Sequence, residues 1–172
     1  ADFEIFKQKL LECMTIIYPD FTLEWILFVD ASDVACGWVL VQLRPQPNGS
    51  FNTEPLAIGS EKFSTAAAKW HINEKEAYAL LRGLQANHHL VAMKPIFVAT
   101  DHFNLASNEH ANNKKITGYK QQWACYAFKG LLTLKGDQNV ADFPTRAGVS
   151  RDVEAVDDNR RQLNFIAARA AG

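Results

Sequence analysis

The chain contains few cysteines, and their arrangement excludes two classes of small protein. Three cysteines occur in 172 residues, at Cys13, Cys36 and Cys125, and no two of them form a Cys-x-x-Cys pair. An odd number without this spacing fits neither a disulfide framework nor a zinc site. We therefore expect reduced thiols, in a protein of the cytoplasm, of an intracellular particle or of the nucleus, and not in a secreted one.

Long apolar runs and a strong net charge are also missing. No run approaches the roughly 20 residues of a membrane-spanning helix, and no secretory leader is evident, so we expect no association with a membrane. The formal net charge is −1. Any contact with nucleic acid must therefore come from Lys and Arg side chains gathered locally. Hydrophobic residues make up 48% of the chain, which is enough for the core of one domain.

The spacing of apolar residues predicts an α/β domain over residues 22–148 with the element order βββαβαβα. The predicted strands cover 22–30, 37–43, 56–62, 96–100 and 131–134, and residues 44–55 have the composition of a hairpin or a loop. The predicted helices cover 64–93, 103–107, 116–128 and 140–146. An antiparallel meander followed by parallel additions makes a mixed five-stranded sheet with helices on both faces. Residues 1–21 are expected to hold a connecting helix, and residues 149–172 a helical or loosely ordered tail.

Four carboxylates lie at positions that are expected to be close to the core, where an unpaired charge is unfavourable. Two of them end apolar runs, one lies on the apolar side of the long predicted helix, and one opens the last short helix. They are Asp30, Asp101, Glu76 and Asp142. An unpaired buried charge costs several kcal/mol. Four such acids in one small domain therefore predict a site for divalent cations.

Helix geometry separates Glu76 from its neighbour Glu74. Two residues apart on a helix means about 200° around its axis. Ile72, Leu80 and Leu84 lie at steps of four from Glu76. This spacing places Glu76 on the stripe that meets the sheet. We expect Glu74 to point away and to be solvated.

Each of the four acids lies in a tract that resembles one motif of a known family. The first tract, at 28–42, reads Phe-Val-Asp-Ala-Ser-Asp-Val-Ala-Cys-Gly-Trp-Val-Leu-Val-Gln. The second, at 70–80, contains Glu-Lys-Glu, and the third, at 98–105, contains Thr-Asp-His. The fourth, at 136–146, reads Gly-Asp-Gln-Asn-Val-Ala-Asp-Phe-Pro-Thr-Arg. In this order the tracts resemble the ribonuclease H domain of Ty3/gypsy-type retrotransposon reverse transcriptase polyproteins, over about residues 3–148.

This resemblance implies a ribonuclease H-like fold and a metal-dependent endonuclease. Such an enzyme hydrolyses the RNA strand of RNA/DNA hybrids during reverse transcription, beside the polymerase part of the same polyprotein. Two Mg²⁺ ions, which Mn²⁺ could replace, are the implied cofactors. The implied catalytic and metal-binding residues are Asp30, Glu76, Asp101 and Asp142. Two-metal hydrolysis needs hard oxygen ligands around ions roughly 3.5–4 Å apart, which carboxylates supply.

Other interpretations of the same residues stay open. The fold could be a non-catalytic spacer, resembling a connection domain, or a nucleic-acid- or protein-binding module that a host has adopted. A DNA-cleaving enzyme of the same fold would use the same acids. Many ribonucleases H also carry a histidine on the loop before the last acid, and residues 135–140 contain none. This departure puts proton transfer or product release in doubt, but not the metal site.

A small group of lysines is the best local candidate for contact with the substrate backbone. Lys114, Lys115 and Lys120 lie near Tyr119. Lysine commonly contacts phosphates, so we expect these side chains to bind the hybrid. A solvated polar loop over 108–115 is the alternative.

Overall fold

The structure, a computed structural model, describes residues 17–101, 113–134 and 139–141. The connecting helix predicted within residues 1–21, the helices predicted over 103–107 and 140–146, the tail and the candidate residue Asp142 lie wholly or largely outside these ranges. The domain boundaries 1–21, 22–148 and 149–172 therefore stay predictions.

Five strands form one mixed sheet, as the sequence predicts. Their spatial order is β3-β2-β1-β4-β5. β1 pairs antiparallel with β2, and β2 with β3, whereas β1–β4 and β4–β5 are parallel. The strands are β1 (Glu24–Ala31), β2 (Ala35–Pro45), β3 (Phe51–Lys62), β4 (Ile96–Thr100) and β5 (Phe128–Thr133).

The predicted hairpin or loop over 44–55 is a hairpin, and much of it is strand. β2 and β3 extend through it to a turn over 46–50, where Gly49 has a φ of +79°. Polar residues in these strands satisfy one another, because Glu54 accepts hydrogen bonds from Gln42 Nε2 at 2.7 Å and from Arg44 Nε at 2.6 Å. Composition indicates the hairpin but not the length of its strands, since their polar side chains pair with one another across β2 and β3.

The single helix predicted over 64–93 is replaced by shorter elements. A 3₁₀ turn at Ala67–Lys69 precedes helix α1 (Ile72–Ala86), and the one-turn helix α2 (His88–Val91) follows. The Asn87 side chain is buried at the junction and donates from Nδ2 to the Gly83 carbonyl at 2.8 Å. A side chain that competes for backbone groups favours a helix end over its continuation.

The helix predicted over 116–128 is α3 (Lys114–Trp123). It begins earlier because Asn113 caps it, with Oδ1 accepting from the amides of Lys115 and Ile116 at 3.0 and 3.2 Å. Phe128, the last residue of the predicted helix, instead begins β5 and is 41% exposed.

Alternate residues of β1 face two separate apolar clusters, one on each side of the sheet. Trp25, Leu27 and Val29 pack in the cluster that contains Leu80 and Leu84 of α1. The opposite cluster contains Ile26 and Phe28 together with Leu134 and Ala141. Helix α1 therefore packs against β1, the strand that carries Asp30 near its carboxyl end.

Candidate metal centre

Two of the predicted acids lie at the same edge of the sheet because both are at the carboxyl ends of neighbouring parallel strands. In the β1–β4 register, Ile26 pairs with Phe97 and Phe28 with Ala99. The same offset brings Asp30 opposite Asp101, which directly follows β4. Strands lie about 4.8 Å apart, so adjacent side chains at their carboxyl ends are neighbours.

Helix α1 supplies a third carboxylate to this edge. Glu76 is 2% exposed and Asp30 is 5% exposed, whereas Asp101 is half-buried. One oxygen of each carboxylate lies within 4.8 Å of the others. The sequence argument from helix phase therefore places Glu76 correctly, and we call Asp30, Glu76 and Asp101 the acidic triad.

Burial and like charge act together on Glu76. Loss of hydration, followed by the charges of Asp30 and Asp101, raises its pKa from the ordinary 4.5 to about 9. A backbone hydrogen bond from Ala31 opposes this rise in pKa but is the weaker effect. The acidic triad therefore holds its negative charge at a cost that a bound cation or a proton relieves.

The chemistry of the donors indicates which cation would fit. All three ligands are carboxylate oxygens. Hard oxygen donors suit Mg²⁺ and Mn²⁺, whereas structural zinc sites are built mainly from thiolates and imidazoles. The acidic triad thus offers three hard oxygen donors to a divalent cation.

Asp142 lies outside the described residues, but the chain directly before it is anchored beside β1. The buried Asn139 donates from Nδ2 to the carbonyl of Val29 at 2.8 Å and accepts from the amide of Ala141 at 3.2 Å. Residues 139–141 are therefore fixed next to the residue that precedes Asp30. Sequence reasoning did not assign this role to Asn139, although its place in the fourth tract was a signal.

Glu74 points away from the acidic triad, as predicted, but the expectation that it is solvated is wrong. It is half-buried and accepts hydrogen bonds from Asn113 Nδ2 at 3.1 Å and from Lys115 Nζ at 3.2 Å. These contacts, with burial opposing them, lower its pKa. Glu74 joins the start of α1 to the start of α3, a contact between distant segments that helix periodicity does not reveal.

The three candidate lysines lie on α3 and not in a solvated loop. Lys115 Nζ is engaged by Glu74 and lies 4.1 Å from the ring centre of Trp70. Lys114 is exposed and Lys120 is half-buried. The structure thus gives Lys115 a role within the fold, and the phosphate contacts of Lys114 and Lys120 stay predictions.

Sequence reasoning also missed Lys75, which is 3% exposed although it lies between two glutamates. Its burial could have been predicted from its spacing, because Ala79 and Gly83 follow it at steps of four on the helix and both are buried. Its ammonium reaches the turn after β1, where it bonds to Asp33.

None of the helices in the described part of the chain has the length and hydrophobicity of a membrane span.

Comparison with known proteins agrees with this fold. Residues 20–127 match the sequence model of the family described as "RNase H-like domain found in reverse transcriptase". The transposon Tf2-3 and Tf2-4 polyproteins of Schizosaccharomyces pombe are each 25% identical to the chain over 169 residues. These matches cover 95% of the chain but 12% of each polyprotein.

Two solved structures share the fold. One is the foamy viral protease-reverse transcriptase in complex with an RNA/DNA hybrid, with a TM-score of 0.53, 13% identity, and coverage of 89% of this chain and 20% of that one. The other is the same viral protein in complex with dsDNA, with a TM-score of 0.53, 14% identity, and coverage of 77% and 30%. At these identities the likeness concerns the fold alone. The match to the family model covers more than half of the sequence, and the chain belongs to the family of RNase H-like domains found in reverse transcriptase.

Proposed function

We propose that the chain is a ribonuclease H that hydrolyses the RNA strand of RNA/DNA hybrids during reverse transcription. The observation that carries this proposal is the acidic triad, in which three elements bring carboxylate oxygens within 4.8 Å of one another at the carboxyl ends of two parallel strands. Sites of open α/β sheets gather at such strand ends.

The residues of the chain would act as ligands and as a rigid frame. Asp30 and Asp101 would hold divalent cations from the strand ends, and Glu76 would do so from α1, with Asp142 as the proposed fourth ligand. Two bound Mg²⁺ ions would activate the attacking water and stabilise the leaving 3′ oxygen. Since strands and a packed helix carry the three described ligands, little reorganisation of the backbone is needed when a substrate binds.

The choice of an RNA/DNA hybrid as substrate rests on relatives. The Schizosaccharomyces pombe relatives are transposon polyproteins, and one structural neighbour is a viral protease-reverse transcriptase in complex with an RNA/DNA hybrid. We propose the same substrate class for this chain, and the polymerase part of a reverse transcriptase polyprotein as its partner.

A non-catalytic spacer is the main competing proposal, and the acidic triad argues against it. Buried like charges destabilise a fold unless a cation or a proton compensates them. A spacer gains nothing from three acids packed at one strand edge, whereas a metal site requires them.

The test is incubation of the purified chain with a labelled RNA/DNA hybrid, with Mg²⁺, with Mn²⁺ and with EDTA. We expect cleavage of the RNA strand with either metal and none in EDTA, while single-stranded RNA and duplex DNA stay intact. The matched control is Asp30→Asn, which keeps the side-chain shape but loses the charge. It should reduce cleavage by more than about 100-fold, because a lost ligand costs more than a lost supporting contact. Cleavage in EDTA, or near wild-type activity of Asp30→Asn, would exclude the proposed mechanism.

A further inference from the structure

Lys75 is a buried cation next to a proposed metal ligand. Lysine is almost never fully buried unless it is paired, yet this side chain is 4% exposed in the first turns of α1. Burial of an ammonium costs several kcal/mol unless its donors are satisfied. The contacts that satisfy Lys75 therefore indicate what the fold gains from it.

The ammonium of Lys75 is fixed by the turn that joins β1 to β2. Nζ donates to the backbone carbonyl of Asp33 at 3.1 Å and lies 3.3 Å from the Asp33 carboxylate. It also stands 5.8 Å from the ring centre of Phe63. The Asp33 side chain is 97% exposed, so its ion pair is weak. The specific anchor is the backbone carbonyl.

The turn that receives this bond is a small rigid unit. The amide of Ser32 donates to the carbonyl of Ala35 at 2.8 Å, and the Ser32 hydroxyl accepts from the amide of Ala35 at 3.1 Å. The amide of Phe63 closes the turn by donating to the carbonyl of Val34 at 2.8 Å. A displacement of Asp33 would therefore also displace the carboxyl end of β1, which carries Asp30.

Consecutive residues of α1 thus attach to this one turn region. Lys75 donates to Asp33, and Glu76 receives a backbone hydrogen bond from Ala31. We infer that Lys75 is a positioning residue, which fastens the β1–β2 turn to α1 and so sets the separation between the Asp30 and Glu76 carboxylates. This inference rests on the proposed function, because it concerns the same metal site.

The experiment measures binding of Mn²⁺ alone, by electron paramagnetic resonance of the free ion, and needs no catalysis. Lys75→Met keeps the length and packing of the side chain but loses the donor. We expect it to weaken Mn²⁺ binding by about 10- to 100-fold, as loss of a contact that orients a ligand usually does, and to raise the Mg²⁺ concentration for half-maximal cleavage. Asp33→Asn is the matched control, since it removes the carboxylate and keeps the carbonyl, and it should bind Mn²⁺ within about 2-fold of the wild type.

Lys75→Arg should recover part of the affinity, because a guanidinium can donate to the same carbonyl, and a merely structural loss would not show this pattern. If Lys75→Met does not show a cooperative melting transition, Mn²⁺ binding is measured on Lys75→Gln instead. The neutral amide of Gln is shorter than the Lys side chain and does not reach the Asp33 carbonyl in the same way. Wild-type Mn²⁺ affinity in whichever variant is folded would overturn the inference.

Failure of this inference can be told apart from failure of the proposed function. If the wild type cleaves hybrids and the folded Lys75 variant binds Mn²⁺ normally, the function stands and the positioning role falls. If the wild type binds Mn²⁺ and the variant binds it weakly, but neither cleaves a hybrid, the positioning role stands and the nuclease proposal falls. If the wild type does not bind Mn²⁺, both fall.

Discussion

At the scale of single residues, the acidic triad lowers the stability of the metal-free fold and supplies carboxylate oxygens that would bind cations. Three carboxylates share one edge of the sheet, and two of them are almost completely buried. Without a cation, the fold can lower the cost of this arrangement by keeping Glu76 protonated, since its pKa is about 9. A bound metal would displace that proton, so metal affinity should rise with pH.

The first prediction concerns the stability of the metal-free protein against pH. Glu76 has a pKa of about 9 in the fold and an ordinary value of 4.5. Between these values the folded protein keeps a proton that the unfolded chain has released, so the free energy of unfolding should fall as pH rises. The slope from this group is at most about 1.4 kcal/mol per pH unit.

Urea unfolding in EDTA from about pH 6 to pH 9 measures this slope. Glu76→Gln should remove most of the contribution, and Asp30→Asn should reduce it, because the Asp30 charge helps to raise the pKa of Glu76. An unchanged slope in Glu76→Gln would show that another group dominates.

The second prediction separates the two neighbouring glutamates. Glu76→Gln should abolish cleavage yet leave the metal-free protein equally stable or more stable, because the fold no longer has to keep a buried carboxyl protonated above its ordinary pKa of 4.5. Glu74→Gln should keep most of the activity but cost about 1 kcal/mol, because it loses the partly buried ion pair with Lys115. Measured on both variants, hybrid cleavage should be lost in Glu76→Gln without a fall in melting temperature, whereas Glu74→Gln should lower the melting temperature with little loss of cleavage. Equal loss of activity in the two would contradict the assignment of faces on α1.

At the scale of elements, the parts that sequence predicts well are those that depend on local patterns. The strand over Ile96–Thr100 matches its prediction, and the phase of α1 is correct at Glu76 and Leu80. The strand ends that carry Asp30 and Asp101 follow from apolar runs that stop at an acid. Their approach follows from the parallel pairing expected of such an element order.

The parts that sequence misses depend on the partners that polar side chains find in the folded chain. The helix over Ile72–Ala86 ends where Asn87 bonds back to Gly83, and the helix over Lys114–Trp123 begins where Asn113 bonds both forward and to Glu74. Intrinsic helix propensity does not depend on such partners, so it does not reveal these helix ends. Burial of Lys75 is missed for the same reason, since its partner Asp33 is 42 residues away.

The third prediction tests the anchor before Asp142. Asn139→Ala removes a buried donor to the Val29 carbonyl and the acceptor for the Ala141 amide. The variant should lose about 1–3 kcal/mol of stability in urea unfolding, the usual cost of leaving buried polar groups without partners. Its Mg²⁺-dependent cleavage should fall more than that of Glu74→Gln at a temperature where both are folded, since the anchor adjoins the proposed fourth ligand. Equal activities would limit Asn139 to stability.

At the scale of the whole molecule, charge decides how the chain holds a substrate. The net charge is −1, and the proposed site is acidic. Phosphate contacts must therefore come from scattered cations, and we expect the isolated chain to bind a hybrid weakly. In a polyprotein, the polymerase part would supply most of the affinity, so low activity of the isolated chain would not by itself indicate a defective site.

The last prediction concerns which lysine of α3 contributes to binding of the hybrid. Positions 114, 115 and 120 are spread around the helix at about 100° per residue, so they cannot follow one phosphate track together. Lys115 already pairs with Glu74 and lies over Trp70, whereas Lys114 is exposed. Lys114→Ala should weaken hybrid binding for all sequences and flatten the dependence of log K on log salt by roughly 0.7–0.9.

Lys115→Ala is the matched control from the same helix. It should leave that salt slope unchanged and lower the melting temperature, because its charge is used within the fold. Fluorescence anisotropy of a labelled hybrid in EDTA, where no cleavage is expected, measures both slopes between about 50 and 200 mM salt. A flattened slope in Lys115→Ala alone would return the phosphate contact to Lys115 and imply that its pairing with Glu74 opens on binding. Unchanged slopes in both variants would place the track of the hybrid on another surface of the molecule, since a cation that contacts no phosphate releases no counterion.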